Sequence, residues 1–252
     1  IKRVAGKYVL VFTLKEWFIE SEKMKYLLNS DIKNNAAVDR KEAVLPNVER
    51  EQALPAGTLL DERYQVKGCI GIGGFGITYL CEDLFLHRDV AVKEYFPEKW
   101  AERDKEYVAV KNVKVVDAYK FGLRSFLKEV CITAKFIHNP QIVTVYDAIE
   151  ANDTAYMVME YIPGISIGRE LRAREYKPYT PKEMAEVICP VLSGLGEIHS
   201  QRIVHGDISP GNIMRSKQGK IYLIDLGAAK YNLESQPVLS AAFLKIDYAA
   251  PE

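Results

Sequence analysis

The sequence predicts an α+β fold in two lobes, strands gathered in the first and helices in the second. Three observations carry this. Short β-branched and aromatic runs dominate from Leu59 to Tyr161, a long capped helix follows them, and strands and helices never alternate as βαβ units. A chain of 252 residues has room for such a fold and can bury a core without disulfide staples. The expected organisation is an N-terminal segment and linker without an assigned role over 1–51, a β-rich lobe and hinge over 52–162, and part of a helical lobe over 163–252.

Taken in order, Tyr8 to Thr13 reads as a strand, and Trp17, Met24 and Leu28 keep helical spacing after it. Asp31 to Glu51 is polar, contains Asn34-Asn35 and Pro46, and reads as a linker. Tyr64 to Ile70 and Ile77 to Cys81 read as strands on either side of a glycine-rich turn, and Asp89 to Lys93 as a third. A helix is expected around Tyr119 to Ile137, then strands over Ile142 to Ala148 and Ala155 to Tyr161. Thr180-Pro181-Lys182-Glu183 is a capping box with proline at the first helical position. Met184, Val187, Ile188, Val191, Leu192, Leu195 and Ile198 then recur at three- and four-residue steps, which predicts one buried stripe interrupted by Pro190. Short strands are expected at Ile203-Val204, Ile213-Met214 and Ile221 to Ile224.

Composition excludes several classes. Apolar residues make up 48% and charged residues 27%, and 34 Lys and Arg balance 34 Asp and Glu. That balance argues against a nucleic-acid footprint and gives no polybasic reason to sit on anionic lipid. The longest early apolar run, Tyr8 to Phe12, is far shorter than the roughly 20 residues a membrane span needs, and it lacks the features of a signal peptide. Cys69, Cys81, Cys131 and Cys189 form no CxxC pair or zinc spacing, so they are expected as small buried hydrophobes in a reducing, cytoplasmic setting. The chain begins at Ile1 and ends at Glu252, and both ends are expected to be cuts in a longer protein.

The chemistry concentrates in a few motifs. Gly71-Ile72-Gly73-Gly74-Phe75-Gly76 has the form G-x-G-x-x-G. Alone this is weak, because dinucleotide-binding loops share it. Those loops run from a strand into a helix, whereas Ile77-Thr78-Tyr79-Leu80 continues as a strand. A hairpin with bare backbone can lie over phosphates, and a plain tight turn accounts for two glycines better than four. Lys93 ends the next strand in Val90-Ala91-Val92-Lys93, where a lysine is costly unless paired with nucleotide phosphates or a helix carboxylate. Glu129 is the best carboxylate candidate, and either residue taken alone reads better as a solvated surface charge. His205-Gly206-Asp207 with Asn212 forms H-x-D-x-x-x-x-N: Asp207 can accept a proton from a hydroxyl and Asn212 can hold a metal. Asp225-Leu226-Gly227 puts a carboxylate at a strand end where a metal ion can bridge phosphates, and Ala250-Pro251-Glu252 closes the segment.

Together, in this order and at these spacings, the motifs resemble the protein-kinase signature over roughly Leu59 to Glu252. The wording of Gly73 to Tyr79, Lys93-Glu94-Tyr95-Phe96-Pro97 and Asp207-Ile208-Ser209-Pro210 is similar to the eukaryotic-like Ser/Thr kinases of bacteria. The resemblance implies a bilobal kinase fold with its N-lobe complete and its helical C-lobe only partly present. It implies ATP and Mg²⁺ as cofactors, transfer of the γ-phosphate to Ser/Thr hydroxyls of proteins, and autophosphorylation. Residue by residue, it implies that the hairpin from Ile70 through Gly71, Gly73, Gly74, Phe75 and Gly76 to Thr78 covers the nucleotide. Lys93 then contacts the α- and β-phosphates and pairs with Glu129. Met159 is the gatekeeper, Glu160 to Ile162 the hinge, and Ala91 and Met214 sandwich adenine. Asp207 is the catalytic base, and Asn212 and Asp225 hold Mg²⁺.

The chain departs from the pattern at several points. Gly206 replaces an arginine that commonly reads activation-loop phosphorylation, so phosphorylation at Ser235 or Ser240 is not expected to be the main switch. Ser209 stands where a lysine usually meets the γ-phosphate, and Lys245 where a threonine usually stands. The two look exchanged, which makes Lys245 a candidate catalytic cation, against its plain reading as a solvated loop lysine. Leu226 replaces the phenylalanine of D-F-G, and Thr133 occupies a normally apolar place in the packing column beneath Glu129. The stretch from Lys93 to Glu129 is longer than usual, and its run Glu102-Arg103-Asp104-Lys105-Glu106 is expected as a solvated inserted surface. The alternatives are a pseudokinase that binds nucleotide without transfer, and a small-molecule kinase, which seldom keeps A-P-E.

Overall fold

The computed structural model describes residues 2–4, 7–9 and 51–231. The chain divides into two compact units, Ile1–Leu45 and Pro46–Glu252. In the first, β1 (Lys2–Val4) and β2 (Lys7–Val9) pair as an antiparallel hairpin. The expected strand over Tyr8 to Thr13 meets β2 only in part, and the expected helix through Trp17, Met24 and Leu28 lies outside the described residues.

The second unit opens with a six-stranded antiparallel sheet in the order β3-β4-β5-β6-β10-β9. Its strands are β3 (Leu59–Leu60), β4 (Tyr64–Gly73), β5 (Gly76–Asp83), β6 (Arg88–Tyr95), β9 (Val145–Ala151) and β10 (Thr154–Glu160). Strict alternation drives β5: Ile77, Tyr79, Cys81 and Asp83 are buried, and the residues between them are half-buried. The register sets Thr78 opposite Lys93, Leu80 opposite Ala91, Met157 opposite Lys93 and Met159 opposite Ala91. Cross-strand partners share a face, so these side chains line one side of the sheet. Tyr79, Val92, Glu94, Tyr156 and Val158 occupy the other side and are fully buried.

That second side is covered by a hairpin of β7 (Ala101–Asp104) and β8 (Tyr107–Val110), and by Leu54. Here the expected solvated charge run is corrected. Arg103 keeps only 5% of its side chain exposed and forks onto the fully buried Glu94, 2.8 Å to Oε1 and 2.5 Å to Oε2. A bidentate guanidinium satisfies a buried carboxylate that would otherwise be very costly. Arg103 also donates to the Gln52 carbonyl at 2.9 Å, and the Leu54 amide donates to the Tyr79 hydroxyl at 3.1 Å. The chain entering the sheet is thereby tied to the hairpin. Glu102, Asp104, Lys105 and Glu106 remain exposed or nearly so.

Helix α1 (Val116–Thr133) packs its Tyr119, Phe126 and Val130 into the same core and passes into a 3-10 turn over Ala134–Phe136. The expected strand at Ile142 starts only at Val145. Ile142 instead bridges to Leu223 and packs in the second core cluster. That cluster gathers Ile132, Phe136, Ile142, Val187, Val191, Ile198, Leu223 and Leu226, each worth about 1.5–3 kcal/mol when fully buried.

Around it lie β11 (Gly164–Ser166), α2 (Ile167–Ala173), α3 (Pro181–Ser200), β12 (Ile203–Val204), β13 (Ile213–Ser216), β14 (Ile221–Leu223) and β15 (Lys230–Tyr231). The capping box of α3 is present: the Glu183 amide donates to Thr180 Oγ1 at 3.2 Å, and the Thr180 amide donates to Glu183 Oε2 at 2.7 Å. The helix runs on through Pro190. Its buried stripe is narrower than expected, since Ile188 and Leu192 are exposed. The cysteines are all free, and only Cys81 fits the buried-hydrophobe expectation: Cys131 and Cys189 sit on solvent-facing positions of α1 and α3. Among the described residues no helix is long and apolar enough to cross a membrane.

Candidate active site

The expected site residues fall on elements that face one another. Ile70 to Thr78 form the β4–β5 hairpin, closed by the two-residue turn Gly74-Phe75 between the pair Gly73 and Gly76. Gly76 needs its missing side chain, because a Cβ there would lie 2.5 Å from the Glu94 carbonyl oxygen. Ala91 and Lys93 are on β6, Met159 and Glu160 end β10, Ile162 follows, and Met214 is on β13. Glu160 is fixed by its amide, which donates to the Thr144 carbonyl at 2.8 Å.

Lys93 joins the two lobes. Its ammonium lies 2.8 Å from Glu129 Oε1 on α1 and 3.2 Å from Asp225 Oδ1, two residues past the end of β14. Burial works against the Lys93 charge, yet the two carboxylates outweigh it and hold its pKa above the ordinary lysine range. Burial pushes the Glu129 carboxyl up to about 7, with Lys93 pulling the other way. At Asp225 burial is outweighed by the Lys93 charge and the Gly227 amide, which donates to Oδ1 at 2.9 Å, so its pKa stays below the usual carboxylate range.

The loop after β12 is shaped around Gly206. Its φ is +79°, and a Cβ would lie 2.6 Å from the Ala228 carbonyl oxygen. The β12–β15 ladder, Ile203 with Tyr231 and Val204 with Lys230, holds the two segments side by side. Asn212, closing the 3-10 turn Pro210–Asn212, donates Nδ2 to the Asp207 carbonyl at 2.9 Å and to Asp207 Oδ2 at 2.8 Å. Its Oδ1 is left as an acceptor. His205 is buried beneath, its Nδ1 accepts from the Asp207 amide at 3.4 Å, and burial pushes its pKa down to about 4. Thr133, also buried, donates its hydroxyl to the Glu129 carbonyl at 2.9 Å, so it enters the core with its polar atom satisfied. Leu226 is buried in the second cluster. Lys245, Ser235, Ser240 and Ala250-Pro251-Glu252 lie outside the described residues.

Residues 64–252 match the protein kinase domain family. The chain belongs to the protein kinase family. This kinase chain is 33% identical over 173 residues to serine/threonine-protein kinase PrkC of Bacillus subtilis, covering 69% of this chain and 24% of that protein. It is 35% identical over 175 residues to serine/threonine-protein kinase PknB of Mycobacterium tuberculosis, covering 68% and 25%. Probable serine/threonine-protein kinase YbdM of B. subtilis is 31% identical over 180 residues, covering 71% and 62%. The kinase chain thus spans about a quarter of PrkC and PknB, and somewhat under two thirds of YbdM. Among solved structures, PpkA-294 in its apo form superposes with a TM-score of 0.66 at 29% identity, covering 70% of this chain and 62% of that one. The fold is accordingly the bilobal kinase fold, and the family uses ATP and typically Mg²⁺.

Reading motifs along the sequence missed the contacts that brace this site. Phe96 and Trp100 meet the glycine-rich turn, and Glu94 and Arg103 anchor the segment behind it. The signal for the first pair was the aromatic run Tyr95-Phe96 and Trp100 directly after Lys93.

Proposed function

We propose that this kinase transfers the γ-phosphate of ATP to Ser/Thr hydroxyls of proteins. The observation that carries this reading is the Lys93 ammonium standing between Glu129 and Asp225, at 2.8 and 3.2 Å. A pseudokinase has no need of that ion triad alongside an Asp207 oriented by Asn212.

The donor set suits Mg²⁺, which favours one or two protein oxygen ligands and shares the rest of its shell with phosphates and water. Asp225 offers a carboxylate at a strand end, and Asn212 offers Oδ1 because its Nδ2 is already donated to Asp207. Bound there, Mg²⁺ would neutralise charge on the phosphate oxygens. The chain's own residues would do the rest. The turn from Ile70 to Thr78 covers the nucleotide with bare backbone, while Ala91, Met214, Met159 and the hinge from Glu160 to Ile162 enclose adenine. Lys93, held by Glu129, steadies the α- and β-phosphates. Asp207 accepts the hydroxyl proton, and Lys245 supplies the cation that Ser209 does not. Such catalysis is positioning plus charge stabilisation. Protein substrates, autophosphorylation and a cytoplasmic setting belong to the same proposal. It is tested by following labelled γ-phosphate onto protein with the natural chain and with Asp207→Asn.

A further inference from the structure

The segment after Lys93 does more than cover the sheet. β6 continues two residues past the lysine, so its ladder with β5 reaches the pair Gly76 and Tyr95. One step further, the Phe96 amide donates to the Phe75 carbonyl at 3.0 Å, at the tip of the glycine-rich turn itself. The Phe75 ring, 48% exposed, meets Trp100 edge-on with centroids 6.5 Å apart and planes at 72°. That is a favoured aromatic geometry.

Trp100 is itself held from several sides. The amides of Trp100 and Ala101 both donate to the Pro97 carbonyl, at 2.8 and 2.9 Å. The Lys111 amide donates to the Trp100 carbonyl at 2.9 Å, and Lys111 Nζ donates to the Glu98 carbonyl at 2.7 Å. The hairpin that follows is pinned to Glu94 through Arg103. The segment therefore fixes the Trp100 main chain beside a turn that carries four glycines, and the indole reaches from it to the Phe75 ring.

We propose that residues 96–111 clamp the glycine-rich turn and that Trp100 is a positioning residue for the nucleotide, acting through Phe75. The clamp rests on the reading that nucleotide lies under this turn. It keeps the turn low over the phosphates and slows nucleotide exit, because the turn must rise for product to leave.

The test is stopped-flow displacement of N-methylanthraniloyl-ADP from the full chain in the presence of Mg²⁺. Trp100→Ala is expected to speed dissociation about three- to tenfold, the scale of one aromatic pair. Trp100→Phe should recover most of the loss. Phe75→Ala should speed dissociation similarly, and the double variant no more than either single one, because both remove the same contact. Phe75 itself is read as covering the nucleotide, so its variant counts only within the cycle, and Trp100→Leu takes the place of Trp100→Ala where the latter folds poorly. Unchanged rates in both alanine variants, or effects that simply multiply, overturn the clamp while leaving nucleotide binding intact. A natural chain that retains no probe overturns the nucleotide reading and the clamp with it.

Discussion

Lys93 Nζ stands 2.8 Å from Glu129 Oε1, across the gap between β6 and helix α1. The pair is nearly dry: the side chains are 21% and 7% exposed. Removing the Glu129 charge leaves the buried Lys93 ammonium leaning on Asp225, out of its place between the two carboxylates. Glu129→Gln is therefore expected to lower turnover on the order of 10²-fold, the scale of one preorganised electrostatic group. Steady-state kinetics against ATP check this. Turnover equal to that of the natural chain would mean that Lys93 is positioned by Asp225 alone.

In the proposed mechanism Lys245 carries a catalytic charge because Ser209 stands where the resemblance expects a lysine. Lys245→Ala should lower turnover on the order of 10²-fold with a smaller change in KM for ATP. Unchanged turnover would return Lys245 to an ordinary loop lysine.

Gly206 sits in a backbone conformation that costs other residues about 1–2 kcal/mol, apart from the approach of the Ala228 carbonyl. Gly206→Ala should lower the melting temperature by roughly 2–8 °C. Gly206→Arg should do at least as much. Since no arginine can stand here without displacing Ala228, no guanidinium is in place to receive a phosphate, and phosphorylation at Ser235 or Ser240 should raise turnover less than about threefold. Kinetics of singly phosphorylated chains provide the check.

Glu94 and Arg103 test the role of the β7–β8 hairpin in stability. Arg103→Ala leaves a fully buried carboxylate without its bidentate partner and should cost about 3–5 kcal/mol. The paired change Glu94→Leu with Arg103→Met should cost clearly less than Arg103→Ala alone. Urea denaturation of the three chains measures both.

His205 gives stability a pH dependence of known sign. Burial lowers its folded pKa to about 4, so between that value and the ordinary 6.5 the unfolded chain binds a proton that the folded chain refuses. This contribution is complete above pH 6.5 and is lost as pH falls toward 4. It amounts to something on the order of 3 kcal/mol at full extent. Glu129, whose folded pKa is raised to about 7, works in the opposite sense between 4.5 and 7. The clean reading is thus a comparison: His205→Leu should lose less stability than the natural chain on going from pH 7 to pH 5. Parallel urea curves at several pH values would show it.

Much of the fold was legible because local pattern and tertiary demand agree. Ile77, Tyr79 and Cys81 alternate in the sequence and alternate in burial, and Thr180 with Glu183 caps the helix they announce. The proposed constellation stood out for another reason, and the structure brings Lys93 to Glu129 and Asp225, and Asn212 to Asp207. Lys93, Glu129, Asp207, Asn212 and Asp225 sit at spacings that make sense only as a set. Arg103 was not legible, since a charge inside a charged run carries no local mark of burial and its partner Glu94 lies on another strand. Helix α2 spans only Ile167–Ala173, too short for a period to declare itself. Ile188 and Leu192 obey the same helical spacing as Val187 and Val191, yet they lie at the edge of the stripe and stay exposed.

The most direct measurement of the central claim is incubation of the natural chain and of Asp207→Asn with Mg²⁺, γ-labelled ATP and a Ser/Thr-containing protein such as casein. Label should appear on protein with the natural chain and fall by at least about 10²-fold with Asp207→Asn, while both chains are thermally stabilised by nucleotide. Nucleotide-dependent stabilisation of both chains with label on neither would contradict phosphotransfer and mark this chain as a nucleotide-binding module.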